Sequence, residues 1–494
     1  MNARRATFFL AALISIALSR AAAAEVKMPA IFGDHMVLQG GAQIPVWGVA
    51  DPSEQITVTL APDTGDGRTA GGETVVATGV ADEAGRWRVQ LPGPASGSGT
   101  YRLTIEGSRT ASPLAFGDVL VGEVWLCSGQ SNMEWSVAAS ANAEEEIAAA
   151  DHPQIRIFHV ARATAGAPKD DVRGSWQVVT PESIGNFSAV AWYFGRHLHD
   201  KTKLPVGLIG SSWGGTPVMA WMSPDAFEAS GFGEALAGAR ERIEQLAADP
   251  ASGNPSSTPT MLYNGMIAPV APYAVRGFLW YQGESDAWQA QNYAALLRAM
   301  IADWRARFEG PDARGPQPFL IVQLANFQQR SQDPAGNDEW ARLRAAQSEV
   351  AGEPGNGIAI TIDIGDAGDI HPRNKQEVGR RLALVALRDV YDLDVEASGP
   401  VLHSVAVREG EVVLGFEHAE GLALRGEAAH AFAVGDAAGN FTWAEAKVEG
   451  DEVILTAPGI GTPTVVRYAW QINPPSPLVN GAGLPAGPFE AKLE

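Results

Sequence analysis

From residue 25 to about 115, apolar and polar positions alternate in short runs separated by Gly, Pro and Asp, as in Gln55-Ile56-Thr57-Val58-Thr59-Leu60 and Trp87-Arg88-Val89-Gln90-Leu91. A repeat of two suits a strand with one buried face, and the runs show no helical periodicity between them. They predict an antiparallel sandwich or jelly-roll-like region. Beyond Gly117 the pattern changes. Apolar runs at 119–127, 155–160, 206–210, 277–281, 319–324 and 358–362 alternate with helical patterns at 184–201, 292–308, 339–351 and 374–391. That alternation predicts an α/β region, a largely parallel sheet covered by helices. After Gly399 the β signals return, in Glu411-Val412-Val413-Leu414-Gly415-Phe416 and Thr464-Val465-Val466-Arg467-Tyr468, and predict a second β region. Residues 249–259, rich in Pro, Ser and Gly, read as a mobile surface loop. No internal repeat is visible.

The first residues follow a different logic. Arg4 and Arg5 precede a short apolar run at 8–18 and the small residues Ala21 to Ala24. This is the order of a secretory signal peptide, and the run falls short of the ~20 apolar residues that span a bilayer. The expected organisation is a signal peptide at 1–24, an N-terminal β domain at 25–115, a central α/β domain at 116–398 and a C-terminal β domain at 399–494. Export to a periplasmic or extracellular location follows from it. Against 57 Asp and Glu the chain has 36 Lys and Arg, a net charge of −21 that becomes −24 once Arg4, Arg5 and Arg20 are removed. Such a surface repels phosphate backbones and anionic lipid, which excludes nucleic acid as a partner and gives no reason to expect membrane insertion. A single cysteine, Cys127, excludes an internal disulfide or a multi-cysteine metal site, and its place in an apolar run marks it as a packing residue.

In an open parallel sheet, ligands bind beyond the carboxyl ends of the strands. Four such ends carry chemistry here: Ser128-Gly129-Gln130-Ser131-Asn132-Met133, Ser211-Ser212-Trp213-Gly214-Gly215-Thr216, Tyr281-Gln282-Gly283-Glu284-Ser285-Asp286, and Asp363 through His371-Pro372. A hydroxyl, glycine amides, a carboxamide and a histidine near acids are the parts of an acyl-transfer site. Each has a plainer reading: Ser131 as a helix cap, Gly214-Gly215 as a tight turn, Gln282 as a strand-end hydrogen bonder. Their coincidence on separate strand ends favours catalysis.

Six motifs in chain order then carry a resemblance: Gly33-Asp34-His35-Met36-Val37-Leu38-Gln39, Trp125 to Met133, Gly210 to Pro217, Leu262-Tyr263-Asn264-Gly265-Met266-Ile267-Ala268-Pro269, Trp280 to Ser285, and Ile370-His371-Pro372. Together they resemble the sialate O-acetylesterase family of SGNH hydrolases, from about residue 26 to the end of the chain. The resemblance implies a three-layer α/β/α flavodoxin-like catalytic domain flanked by β regions. It also implies a serine esterase that removes O-acetyl groups from sugars with no metal or other cofactor. Residue by residue, Ser131 matches the nucleophile, His371 the general base, and Gly214 and Gln282 the oxyanion donors; a serine at a helix start adds its own backbone N–H, that of Ser131, as a further donor. Asn132, Trp213, Glu284 and Arg373 are candidate substrate contacts.

Many SGNH enzymes carry an Asp three residues before the histidine. Here Gly368 stands there, so Asp369 is the expected orienting acid, with Asp366 or a bare Ser-His pair as alternatives. The string Asp363, Asp366, Asp369 fits no EF-hand spacing. Trp213, Trp221 and Trp288 are candidate platforms for sugar rings. Three other readings compete. Gly210-Ser211-Ser212-Trp213-Gly214 matches G-x-S-x-G and would make Ser212 the nucleophile of an α/β-hydrolase, although Gly214-Gly215-Thr216-Pro217 delays the helix this motif wants. The same machinery would serve acetylated xylan or xyloglucan oligosaccharides. A non-catalytic glycan-binding protein would explain the β regions but not the four strand ends. For a sialic acid carboxylate, Arg373 is the nearby cation; oligomeric state is not encoded legibly.

Overall fold

The strand Leu114–Gly129 runs through two sheet regions at once. Up to Gly122 it pairs antiparallel with Thr100–Gly107 and parallel with Val37–Gln39; Gln55–Pro62 and Val75–Val80 extend that region, and Gln43–Val49 pairs separately with Arg86–Pro92. Beyond Gly122 it lies inside a parallel sheet whose order is Asn356–Ala359, Phe319–Val322, Gly277–Tyr281, Leu114–Gly129, Val206–Ser212, His152–His159, with Trp176–Val179 antiparallel at the edge. The junction expected near residue 115 therefore falls inside one strand. This computed structural model describes residues 25–63, 65, 72–311, 315–336 and 338–493, and the signal peptide expected at 1–24 lies outside them.

Along that strand the period of two sorts side chains onto the two faces. Trp125 and Cys127 enter one core with Trp192, Phe194, Leu198, Leu382 and Val385; Val124 and Leu126 enter the other with Leu296, Met300, Trp304, Leu343 and Val350. Helices Ala189–Thr202 and Lys375–Asp389 cover the first face, Ala290–Arg307 and Glu339–Ala351 the second. The result is three layers, α/β/α, with both sheet faces apolar and dry. Cys127 is fully buried, which pushes its thiol pKa far up and leaves it unreactive. A seven-stranded antiparallel sheet follows, built from Val401–Arg408 through Phe489–Lys492 around Val412, Leu414, Phe432, Val434, Val453 and Tyr468. Among the described residues no helix is long and apolar enough to cross a membrane.

Three departures from the expected elements have physical causes. The helix expected at 184–201 is broken: Pro181–Ile184 ends before Gly185, and Ala189–Thr202 starts from the Ser188 cap. Ser188 Oγ accepts from the Ala191 amide at 3.2 Å and donates to the Met133 carbonyl at 2.6 Å, so a tertiary bond fixes the break. The strand expected at 358–362 stops at Ala359, because Thr361 turns its hydroxyl onto the Gln323 carbonyl at 2.5 Å and Ile362 joins the C-terminal core. Residues 249–259 are not irregular. They form two short 3-10 turns, Pro250–Ser252 and Pro255–Ser257, capped by the Asp249 and Asn254 side chains.

Candidate active site

Gly129 ends its strand at φ 142°, and a Cβ there would lie 2.1 Å from the Tyr281 carbonyl oxygen. That same oxygen accepts the Gln130 amide at 3.0 Å. The two neighbouring strands are thus drawn tightly together where the chain turns into the helix Ser131–Glu134, and Ser131 stands at the helix start. From the loop before Lys375–Asp389, His371 presents Nε2 to Ser131 Oγ at 2.9 Å. Asp369 Oδ1 accepts the His371 backbone N–H at 2.8 Å and lies 3.4 Å from Nδ1. Asp366 instead caps the turn through the Gly368 amide at 2.8 Å, and Asp363 pairs through both oxygens with Arg381. Of the candidate acids, Asp369 is the one at the histidine.

The Trp135 ring stacks on His371, with centroids 4.9 Å apart and planes inclined 16°, and its Nε1 donates to the Ala139 carbonyl at 2.9 Å. This partly dry setting lowers the His371 pKa, mainly by burial, with Lys375 adding to the lowering and Asp369 opposing it. A base must be unprotonated to work. The acid limb of the kcat/KM profile is accordingly expected below the ordinary histidine value, with activity lost as pH falls through it and flat above. Asp369→Asn removes the raising influence, so the limb moves to still lower pH while kcat drops about fivefold to tenfold, the modest scale of a half-exposed pair. A pH–rate series on both proteins measures this; an unmoved limb would show that Asp369 does not act on His371.

Most of the other expected site residues are engaged with partners inside the fold. Gly214 does approach Ser131, since a Cβ on it would sit 3.2 Å from Ser131 Cβ, but its N–H donates to Glu134 Oε2 at 2.9 Å and is not free. Gln282 is fully buried and spent inside the fold: its amide donates to Gln130 Oε1, the Thr216 carbonyl and Asp286, and its oxygen accepts from the Tyr293 hydroxyl. It faces no substrate. Asn132 is buried too, donating to Glu284 Oε1 at 2.5 Å and to the Ile370 carbonyl at 3.0 Å, and accepting from Lys375 Nζ. Asn132 therefore ties the serine turn to the histidine loop rather than touching sugar. Glu284 turns its carboxyl inward, with Oε2 buried and without a hydrogen-bond partner among the described residues, and burial raises its pKa.

Lys375, which the sequence did not single out, is fully buried, and desolvation brings its pKa down to about 7. One signal was available: a lysine at the first position of a helix opposes the helix dipole, so a tertiary partner must hold it there. Arg373 is exposed and absent from the cleft above Ser131. Trp213 has its ring under the Arg162 guanidinium at 5.3 Å, Trp221 is buried in the core, and Trp288 is 65% exposed. Ser212 pairs in register with Gly129, whereas His371 Nε2 stands at Ser131 Oγ, and among the described residues no histidine bonds the Ser212 hydroxyl.

The cleft itself, about 810 Å³, is lined by Ser131, His371, Glu134, Trp135, His159, Arg162, Arg173 and Asn186 among others. Asn186 is the carboxamide that lines it, and the Gly185-Asn186 pair interrupting an apolar helical pattern was its trace in the sequence. A family profile described as carbohydrate esterase, sialic acid-specific acetylesterase, matches residues 121–387. The sialate O-acetylesterase of Rattus norvegicus is 30% identical over 97% of this chain and 97% of its own, and that of Homo sapiens is 30% identical over 96% and 94%. The crystal structure of XAC1771, described as a novel carbohydrate acetylesterase from Xanthomonas citri, superposes with a TM-score of 0.81 at 36% identity, covering 94% of this chain and 99% of that one.

Proposed function

Because the chain belongs to the sialic acid-specific acetylesterase family of carbohydrate esterases, we propose that it hydrolyses O-acetyl esters of sialic acids through an acetyl-serine intermediate on Ser131. Carbohydrate O-acetyl hydrolysis is the family's activity and this chain's; the serine mechanism, the residue roles and the sialic acid preference are the proposal. One observation carries it: the 2.9 Å contact between His371 Nε2 and Ser131 Oγ, on a serine held at the strand-to-helix turn that Gly129 makes.

In the first half-reaction Ser131 Oγ attacks the acetyl carbonyl carbon as its proton passes to His371 Nε2. The carbonyl oxygen becomes an oxyanion. In this reading two amides stabilise it: Ser131's own N–H, which as the first of its helix has no intrahelical acceptor, and the Gly214 N–H, which the oxyanion takes over from Glu134. Collapse breaks the carbon–oxygen bond to the sugar, and the departing alkoxide takes the proton from His371. Water then attacks the acetyl-serine, giving its proton to His371, and acetate leaves as Ser131 recovers the proton. Asp369 holds the ring through both half-reactions, and Trp135 shields it from solvent. Export, implied by residues 1–24, belongs to the same proposal.

Covalent labelling tests the nucleophile without altering the chain. A fluorophosphonate is expected to add once per molecule, on the peptide containing Ser131, with loss of acetate release from O-acetylated sialic acid and from acetylated xylo-oligosaccharide alike. Labelling on Ser212, or full activity after stoichiometric labelling, would overturn the assignment. Comparing the two unlabelled rates gives the sugar preference.

A further inference from the structure

The charge in the cleft runs against the charge of the chain. The protein carries a net −21, yet the walls around Ser131 include Arg162 and Arg173, and Glu134 is the one carboxylate among the lining residues. Arg162 is already matched: its Nη2 lies 2.5 Å from Glu134 Oε1, its Nε donates to the same oxygen, and its guanidinium covers Trp213. His159, at the end of its strand, has its pKa lowered, mainly by desolvation, with Glu134 opposing the shift. Asp369 stands beside His371 Nδ1 and is not among the cleft walls.

Arg173 is different. Its side chain is exposed at the cleft and makes no ion pair or hydrogen bond with any described residue. The backbone beneath it is fixed. Val172 is buried, the Arg173 carbonyl accepts from the Ala161 amide at 2.9 Å, and Gly174 is pressed so closely that a Cβ would lie 2.6 Å from the His159 carbonyl oxygen and 2.7 Å from the Phe158 ring. An unmatched guanidinium on a rigid root, opening onto the nucleophile's cleft, is arranged for an anion that arrives with the substrate. Its planar fork fits a carboxylate through two parallel hydrogen bonds.

We propose that Arg173 binds the carboxylate of an acidic sugar and so makes the enzyme selective for charged over neutral O-acetylated carbohydrates. This rests on the serine esterase reading above and replaces Arg373, which lies outside the cleft, as the carboxylate-binding cation. The acetyl ester and the carboxylate are then held at separate points, Ser131 and Arg173, and the ring between them is oriented.

The test compares one O-acetylated sialic acid with its carboxylate methyl ester, in the full-chain wild type and in Arg173→Gln and Arg173→Lys, each checked for unaltered thermal unfolding. In the wild type kcat/KM is expected to favour the free acid by about tenfold, the scale of a charge-assisted hydrogen bond at a partly solvated site. Arg173→Gln should bring the two substrates together, mostly through KM, and Arg173→Lys should restore part of the difference. A wild-type acid-to-ester ratio near one, or a ratio unchanged in Arg173→Gln, would overturn the assignment. Turnover of p-nitrophenyl acetate by the wild type reports separately on the esterase, so loss of that activity and loss of the carboxylate preference are distinguishable.

Discussion

Ser131→Ala is expected to cut acetate release by roughly 10⁴- to 10⁶-fold, the range seen when a catalytic nucleophile is removed from a serine hydrolase. The fold should survive intact. The Ser131 hydroxyl makes one side-chain hydrogen bond, to His371, and the turn is held by other groups: the Gln130 amide on Tyr281, Ser188 on the Met133 carbonyl, and Asn132 on the Ile370 carbonyl. Stability should therefore stay within about 0.5 kcal/mol of wild type. Residual turnover would come from the oxyanion amides and from substrate positioning, which do not need the hydroxyl. Acetate release measured beside thermal unfolding checks both halves. Activity within tenfold of wild type would move the nucleophile elsewhere, and a large fall in melting temperature would mean that the hydroxyl holds the turn together.

The second large effect is conformational. Gly129→Ala places a methyl 2.1 Å from a backbone oxygen at a φ of 142°, where side chains other than hydrogen are strained. Neither neighbour can yield cheaply, because Tyr281 sits in the sheet between Leu114–Gly129 and Phe319–Val322. A loss of about 3 kcal/mol or more is expected, and any molecules that fold should lose about 100-fold in kcat through displacement of Ser131. Gly215→Ala is the control. Its φ of 74° is also left-handed, but a Cβ there meets nothing within 4 Å, so its cost should stay near 1 kcal/mol. Denaturant unfolding of both variants separates the close approach from the dihedral; equal losses would show that crowding against Tyr281 is not what holds the turn.

The layered α/β/α architecture and the Ser131–His371 pair were legible because both follow from local pattern: apolar runs of strand length, and motifs placed where such strands end. What the chain did not reveal is which polar side chains face the cleft. Gln282, Asn132 and Glu284 sit in the right motifs and at the right strand ends, yet each is turned inward by partners 60 or more residues away, such as Thr216, Ile370 and Lys375. A motif fixes position along the chain, while the direction of a side chain is decided by tertiary neighbours. Arg373 and Arg173 show the same limit. The first is two residues from His371 and is not among the residues lining the cleft; the second lies nearly 200 residues before it in sequence and does line it.

Continuity through Leu114–Gly129 bears on how this protein can be rebuilt. A cut at residue 115, chosen from the change in pattern, would sever the strand that leads into Ser131 and strip Leu120, Val121 and Gly122 of the ladder they share with Val37, Leu38 and Gln39. Exposed amides and carbonyls would then stand in the same strand as Ser128 and Gly129, about ten residues before Ser131. The N-terminal region is thus no interchangeable cassette. Recombination between relatives at that point would splice half a strand onto a foreign half, and the mismatch in register would be felt at the serine.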